Sequence, residues 1–411
     1  MNATALSDGG SQNTRDKGEI FWSCVMTIFA CTWVAIHPNI PAIADTVTTV
    51  ALRRAGVMLC GLIAPEIIIL WAMRQWYSAR KIAQRHREQG WTTTHGFFLQ
   101  MGGFMLYTAD RAIRPLNLEE LEDLHSKGDI EWPKITESEI LDRSKGDALS
   151  KGIVTVQTSW FLIQCIVRGA SGLVVTELEL LTVAFASLNV VTYFFWWDKP
   201  VDVMHSHPVP SRSNVSPQFI ESRYHPQREL SGDSQVEWVH LVIKLLSPVL
   251  FLMRRLRYVM LAITGKIQRT GRVSTFHAAT LSPDPHTFFW MTVACSAIGS
   301  IFGGIHCIGW SFTFPSHQEQ KLWRFSSVVI TFIPIFIALL SHCLKNGYSW
   351  PPRGWLFWFL VTTIQVILLV LFVAMYITAR FALLVQACVS LRRLSPGALQ
   401  AMGWTNFVPH F

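Results

Sequence analysis

The sequence predicts an all-α fold: a helical bundle of about seven transmembrane spans (seven or eight), with short polar helices and a basic interfacial helix. Only 15% of the 411 residues are charged and 50% are hydrophobic, whereas soluble domains carry roughly 25% charged residues. The mean hydropathy is +0.31. Seven apolar stretches approach the length of about 20 residues that a transmembrane helix needs. We therefore expect a multi-pass membrane protein.

The predicted spans occupy much of the chain. They are Ile20–Ile36, Ala55–Tyr77, Gly152–Val167, Leu178–Trp197, Phe288–Gly309, Phe325–Leu344 and Trp355–Ala379. Residues 1–19 form a polar tail that is predicted to be disordered. Because the first span lacks a small-residue cleavage site, we expect it to remain in the protein as a signal anchor.

The second predicted span carries a carboxylate near its midpoint, where Glu66 follows Pro65. An ionised carboxylate at that depth is costly unless it is neutralised or paired. Proline removes a backbone hydrogen bond and permits a kink, so the two residues are candidates for a polar pocket. The structural alternative is a protonated glutamate, or one that is hydrogen-bonded to a neighbouring helix.

A short apolar stretch and a polar segment follow. Residues 96–107 are too few to span and contain Gly102-Gly103, which favours an interfacial or re-entrant segment. Residues 108–151 are predicted to be a polar helical insertion, with capping-box spacing at Asn117/Glu120 and at Thr136/Glu139. Its acidic excess is typical of a solvated surface, and a docking surface for a protein partner is the alternative.

Two pairs of carboxylates flank the fourth span. Glu177 and Glu179 lie at its start, where they complement the helix dipole or form an ion or substrate gate. Asp198 and Asp202 follow its end, with the DxxxD spacing that can hold Mg²⁺ against a diphosphate. Pro200 disrupts the helix that would align them. The two pairs lie about 20 residues apart, roughly a bilayer thickness, so they cannot form one site directly.

The next two segments are predicted to lie outside the spans. Residues 203–238 form a linker rich in Pro and Ser, and residues 239–285 form an amphipathic basic helix at the membrane interface. Anionic lipid headgroups are its expected partner, through Arg254, Arg255, Arg257, Lys266, Arg269 and Arg272. Asn2 and Asn214 begin sequons for glycosylation.

Residues 286–379 hold spans five to seven, and residues 380–411 are predicted to be an amphipathic tail. Glycines at 299, 303 and 304 permit close contact between helices. His306 lies near the end of the fifth span; such a histidine is more often a packed residue than a ligand.

The composition also excludes several classes of protein. All eight cysteines lie in or beside apolar segments without a CxxC pair, so reduced, packed thiols are expected rather than disulfides or zinc. No phosphate-binding loop, nucleophile elbow or HExxH motif occurs, and no cofactor is predicted. The net charge of +8 lies mostly beside apolar spans, which indicates a membrane surface rather than nucleic acid.

Four blocks carry a resemblance to a known family. They are AIHPNIP (35–41), RSKGDALSKGIVTVQTSWFLIQCIVRG (143–169), TELELLTVAFASLNVVTYFFWWDKPVDV (176–203) and ARFALLVQACVSLRRLSPGALQAMGWTNFVPHF (379–411). The chain resembles a family of fungal polytopic integral-membrane proteins with no established activity. The resemblance implies a multi-pass architecture and supplies no catalytic residues.

Three hypotheses for function follow. The first is transport or signal sensing through the bundle, since Glu66, Glu177 and Glu179 are acidic groups in or beside spans. The second is a membrane-embedded enzyme, such as a terpene cyclase or prenyltransferase, acting on a lipid or isoprenoid through Asp198 and Asp202 or Glu66. The third is a scaffold that binds protein partners through residues 108–151. Whether the protein is an enzyme, which organelle it occupies and its oligomeric state stay undecided by the sequence.

Overall fold

A computed structural model of the chain describes residues 14–108, 111–144, 147–212, 273, 277, 284–347 and 355–401. These residues form eleven α-helices and three short strands. The helices are α1 (Lys17–Phe29), α2 (Val47–Ile63), α3 (Pro65–Arg85), α4 (Thr93–Gln100), α5 (Leu118–Ser126), α6 (Glu137–Asp142), α7 (Asp147–Ala170), α8 (Glu177–Trp196), α9 (Pro285–Cys307), α10 (His317–Gly347) and α11 (Trp355–Ser390). The strands are β1 (Phe104–Thr108), β2 (Arg111–Pro115) and β3 (His207–Pro210).

Five helical segments of the described chain are long and apolar enough to cross a membrane. They overlap the predicted third to seventh spans and cover Gly152–Ala170, Glu177–Trp196, His286–Ser311, His317–Leu340 and Thr363–Arg393. The predicted number of seven spans is therefore not confirmed. The count rises to six if α2 and α3, a bent pair, together form one span.

The first predicted span, Ile20–Ile36, is not among these five. Its helix begins earlier, at Lys17, with a capping box formed by Asp16 and Glu19. The α-helix has 13 residues and continues as a π-helical turn over Ala30–Val34. Because its first turn is polar and its α-helix is short, this segment has a shorter apolar stretch than the five long helices.

The second predicted span, Ala55–Tyr77, is two helices rather than one kinked helix. The chain breaks at Ala64, and α2 and α3 are bent by 112° relative to each other. Pro65 is the first residue of α3. Proline has no amide hydrogen to continue α2, and it disfavours helical geometry at the preceding residue. The same residue that ends α2 therefore suits the first position of α3.

Three strands form a sheet in the order β2-β1-β3, which corrects the all-α prediction. Strand β1 is antiparallel to β2 and parallel to β3, and Phe104 pairs with His207. Residues 96–107 are thus no interfacial or re-entrant segment: they form most of α4 and most of β1, and Phe98 and Phe104 are fully buried. The predicted linker over 203–238 contains β3 near its start, and residues 213–238 lie outside the described chain.

Both predicted capping boxes in the polar insertion are confirmed. Asn117 and Glu120 cap α5, and Thr136 and Glu139 cap α6. Leu118, Leu121 and Ile140 are fully buried against the sheet and α4. The insertion therefore contributes to the apolar core of a small α/β unit that also includes β2, and its acidic residues other than the buried Glu120 are exposed or half-buried.

Helix α8 is the centre of the helical bundle. Of the residues in its span, 67% are buried, compared with 24–33% of the residues in each of the other four spans. It packs against α1, α3, α7, α9 and α11. The outward faces of the other helices are apolar and exposed, as at Ile166, Ile301 and Phe325. Large exposed apolar faces of this kind suit contact with lipid tails.

The remaining predictions concern the two ends and the basic segment. Helix α11 continues to Ser390, so the predicted tail over 380–411 begins as helix. Arg254, Arg255, Arg257, Lys266, Arg269, Arg272, Asn2 and Asn214 lie outside the described residues. Near the ends of the described chain, Thr14 and Gln400 form an isolated antiparallel bridge.

Candidate functional site

Glu66 lies at the break between α2 and α3 and is held by two other helices. The hydroxyl of Tyr376 in α11 donates a hydrogen bond of 2.7 Å to its carboxylate. The thiol of Cys295 in α9 donates to its backbone carbonyl at 3.1 Å. A Cβ at position 299 would come within 2.8 Å of the Glu66 Cγ, so the glycine there makes room for the side chain. Glu66 is therefore a packed, hydrogen-bonded group.

Arg380, one turn after Tyr376 on α11, binds the other side of the break. Its Nε and Nη2 donate to the carbonyls of Ile63 and Leu62, each at 3.1 Å. The last carbonyls of a helix have no partner within that helix, and a cation there complements the helix dipole. The guanidinium also lies 4.0 Å from the ring centroid of Phe302. Helix α11 thus supplies partners for both ends of the broken helix.

His306 lies on α9, one turn after Phe302, and is fully buried. Its Nδ1 is 2.9 Å from the Phe302 carbonyl, and the two rings are 4.8 Å apart. Because a carbonyl only accepts, Nδ1 carries the proton, and Nε2 of a neutral ring is an acceptor. Nε2 has no hydrogen-bond partner among the described residues. Phe302 therefore contacts both His306 and Arg380.

Glu177 and Glu179 lie together at the start of α8, where they have different surroundings. Glu179 completes a capping box with Thr176 and forms an ion pair with Arg15, whose Nη2 is 3.1 Å from Oε2. Glu177 is 5% exposed, while the hydroxyl of the nearby Ser390 donates to the Ala387 carbonyl at 2.9 Å. Capping and the ion pair give Glu179 a structural role. Glu177 lines the cleft described below.

Asp198 and Asp202 do not share a helical face. Helix α8 ends at Trp196, and Asp202 has a left-handed backbone with φ of 51°. Asp202 forms an ion pair of 2.9 Å with Arg54, while Asp198 is exposed. The described residues contain no group of three or more His, Cys, Asp or Glu side chains that could hold a metal ion. The six predicted candidates therefore do not form one metal-binding cluster.

Lys199 is a residue that the sequence reasoning missed, although it lies between the two aspartates. Its side chain is fully buried. The amine donates to the Gln75 Oε1 at 2.9 Å and to the His37 carbonyl. It also lies 4.9 Å from the ring centroid of Trp71 and 4.6 Å from that of Trp196. No described carboxylate forms an ion pair with it. The only signal in the sequence is a lysine directly after two tryptophans and an aspartate.

Burial and the two indoles act on Lys199 in opposite directions. The faces of two tryptophans favour the ammonium form. Removal of the amine from water disfavours that form more strongly, and it holds the pKa of Lys199 well below its ordinary value of 10.5. The Gln75 side chain continues this network, since its Nε2 donates to the His277 carbonyl at 2.8 Å. The network joins α3, the end of α8 and His277.

A cleft of about 590 Å³ opens at the end of the bundle where α8 begins. It lies between α7, α8, the turn after α9 and the segment after α11. Its walls are mostly apolar and include Cys165, Ile166, Leu180, Val183, Ile308 and Phe312. Two charged residues, Glu177 and Arg393, also line it. An apolar cleft with a few polar groups is the usual form of a small-ligand site.

Comparison with known proteins gives a family but no activity. No curated protein and no solved structure matches the chain. Residues 4–217 match a family of unknown function, DUF8562, and this region includes α1 to α8, the sheet, Glu66 and Lys199. The resemblance to a family without an established activity is confirmed, and its fungal origin stays an expectation. Since the match covers more than half of the 411 residues, the chain belongs to the family DUF8562.

Proposed function

We propose that this protein is a membrane-embedded transporter or signal sensor, and that its polar centre is the break between α2 and α3. One observation carries the proposal: two residues of α11 hold the opposite ends of the break. Tyr376 binds Glu66 at the start of α3, and Arg380 binds the carbonyls that end α2. Broken helices in transporters bind ions and substrates through the carbonyls and amides at the ends of their half-helices.

The chemistry of this centre favours a cation, a proton included, as the transported or sensed species. Glu66 offers a carboxylate, and the end of α2 offers two carbonyl oxygens. A proton on Glu66 would remove its charge and weaken its bond to Tyr376, and a metal cation would compete with Arg380. Either event would loosen α11 from the break. The protein would then couple cation binding to movement of α11.

The two alternatives have less support. For an enzyme acting on a diphosphate, Asp198 and Asp202 would have to face one metal ion, and Asp202 instead pairs with Arg54. For a scaffold that binds a protein partner through α5 and α6, the acidic side chains of these helices would have to be free to contact that partner. Glu120 and Glu122 pair within the chain, with Arg114 and with Arg85 and His86.

The test uses the full chain in proteoliposomes with an imposed gradient of protons, Na⁺ or K⁺. Tyr376→Phe removes the hydroxyl that binds Glu66, and Tyr77→Phe, on the half-buried Tyr77, is the matched control. We expect ion flux, or cation-dependent amide exchange at residues 60–68, that Tyr376→Phe alters and Tyr77→Phe does not. If neither readout responds to any of the three cations, the proposal fails.

A further inference from the structure

The cleft beside Glu177 opens at the level of the apolar outer surface of the bundle. Ile166 and Ile308 line it, and their side chains are 68% and 65% exposed. They therefore continue the cleft into the outward apolar face of α7 and of the turn after α9. A molecule that enters the cleft from this side must itself present an apolar part.

The walls of the cleft are held in place by two arginines, the buried Arg168 and the half-buried Arg15. Arg168 donates to the carbonyls of Gln400 and Val174, each at 2.9 Å. Arg15 donates to the carbonyl of Ala398 at 2.7 Å. These bonds fix the segment after α11 against α7 and α8, so the cleft is preformed. A preformed cleft loses little conformational freedom when it binds a ligand.

Two charged groups of opposite sign lie on the cleft and have no ion-pair partner among the described residues. The neighbouring acids Glu179 and Glu319 are paired with Arg15 and Arg392. Glu177 forms no ion pair with a described residue, and its side chain lies near that of Ser390. Arg393 is exposed at the rim. The free charges therefore fit a ligand that carries both an anionic and a cationic group.

We propose that this cleft binds one membrane phospholipid with a zwitterionic headgroup. An acyl chain fills the apolar part, Arg393 binds the phosphate, and Glu177 binds the ammonium. The volume of about 590 Å³ lies within the range of small-ligand sites. The proposal does not depend on the transport or sensing role, because the cleft is separate from the polar centre at Arg380. Phe185, which contacts Arg380, lies eight residues after Glu177, or about 12 Å along α8.

The experiment is native mass spectrometry of the full chain, released from detergent after incubation with a phosphocholine or a phosphoglycerol lipid. Ala170→Trp places an indole on the exposed wall of the cleft, and Ala374→Trp is the matched control on the exposed face of α11. We expect Ala170→Trp to weaken phosphocholine binding at least about tenfold, as a lost acyl pocket would, and Ala374→Trp to leave it unchanged. Equal retention by both variants and the unchanged protein would overturn the site, since the lipid would then bind only at the general surface.

The headgroup assignment has its own readout. The unchanged protein should retain the phosphocholine lipid better than the phosphoglycerol lipid, which lacks an ammonium group. Glu177→Gln should remove that preference, and Arg393→Gln should lower retention of both lipids. Better retention of phosphoglycerol by the unchanged protein would overturn the role of Glu177. This comparison needs no variant, so it decides the point even if Glu177→Gln fails to fold.

Discussion

Tyr376 and Glu66 are 310 residues apart in the chain, and the tyrosine hydroxyl donates a hydrogen bond of 2.7 Å to the carboxylate. This bond ties the start of α3 to the last long helix. Arg380 adds bonds from the same face of α11 to the end of α2. The break between α2 and α3 is therefore stabilised from outside, by a helix that follows it late in the chain.

Tyr376→Phe should lower the free energy of unfolding by about 1–3 kcal/mol, since it leaves the half-buried Glu66 carboxylate without its donor. Thermal unfolding in detergent measures this change. The control Tyr77→Phe should stay within about 0.5 kcal/mol, as expected away from such contacts. Equal effects of the two substitutions would mean that the Glu66 contact contributes nothing specific.

Arg380→Lys should not replace the arginine. Lysine keeps the charge but lacks the planar fork that reaches the Ile63 and Leu62 carbonyls together. We expect faster amide exchange at the end of α2, measured by mass spectrometry, and a smaller effect than that of Arg380→Met. An unchanged exchange rate in Arg380→Met would show that these bonds do not hold the break.

Gly303→Ala and Gly304→Ala should have effects of opposite sign, although the two glycines are adjacent on α9. A Cβ at Gly303 would lie 2.6 Å from the backbone of Thr331 in α10, whereas at Gly304 it would meet nothing within 4 Å. We expect Gly303→Ala to cost about 1–3 kcal/mol through overpacking. Gly304→Ala should stabilise by about 0.5–1 kcal/mol, because alanine favours the helix. Thermal unfolding of the two variants, side by side, checks both signs.

Lys199 should make stability depend on pH. Burial holds the pKa of its amine well below 10.5 in the folded protein, so the unfolded chain binds more protons between the folded pKa and 10.5. The free energy of unfolding must then rise with pH across that window, by at most about 1.4 kcal/mol per pH unit. Below the folded pKa this dependence disappears.

Lys199→Met tests the assignment. Its unfolding, measured between pH 7 and pH 9, should lose the upward slope that the unchanged protein shows. Lys81→Met, at an exposed lysine of α3, should keep that slope. A slope that survives in Lys199→Met would have to come from another group.

The apolar pattern of the sequence was sufficient to predict five long helices of the bundle, but not the break between α2 and α3 or the sheet. Five predicted spans coincide with long apolar helices, because hydrophobic length is a local property. Strand β3 contains two prolines in four residues, so its sequence resembles a linker. It becomes a strand only because β1 lies beside it, at a distance of about 100 residues in the chain.

The charged residues of the candidate site could be predicted from the sequence, but their contacts could not. Pro65 and Glu66 stood out because a proline and a carboxylate are costly inside a span. Nothing local indicates that Tyr376 and Arg380 are their partners, since that choice depends on how α11 packs. The sequence does not indicate Lys199 for the same reason. Its burial depends on the folded network with Gln75, Trp71 and Trp196.

The bridge between Thr14 and Gln400 has a consequence for topology. Two residues joined by backbone pairing lie on the same side of a bilayer, so the chain between them crosses an even number of times. If each of the five long helices crosses the bilayer, those five crossings alone would place Thr14 and Gln400 on opposite sides. Within the described residues, the α2–α3 pair counted as one span would supply a sixth crossing and return the two residues to the same side.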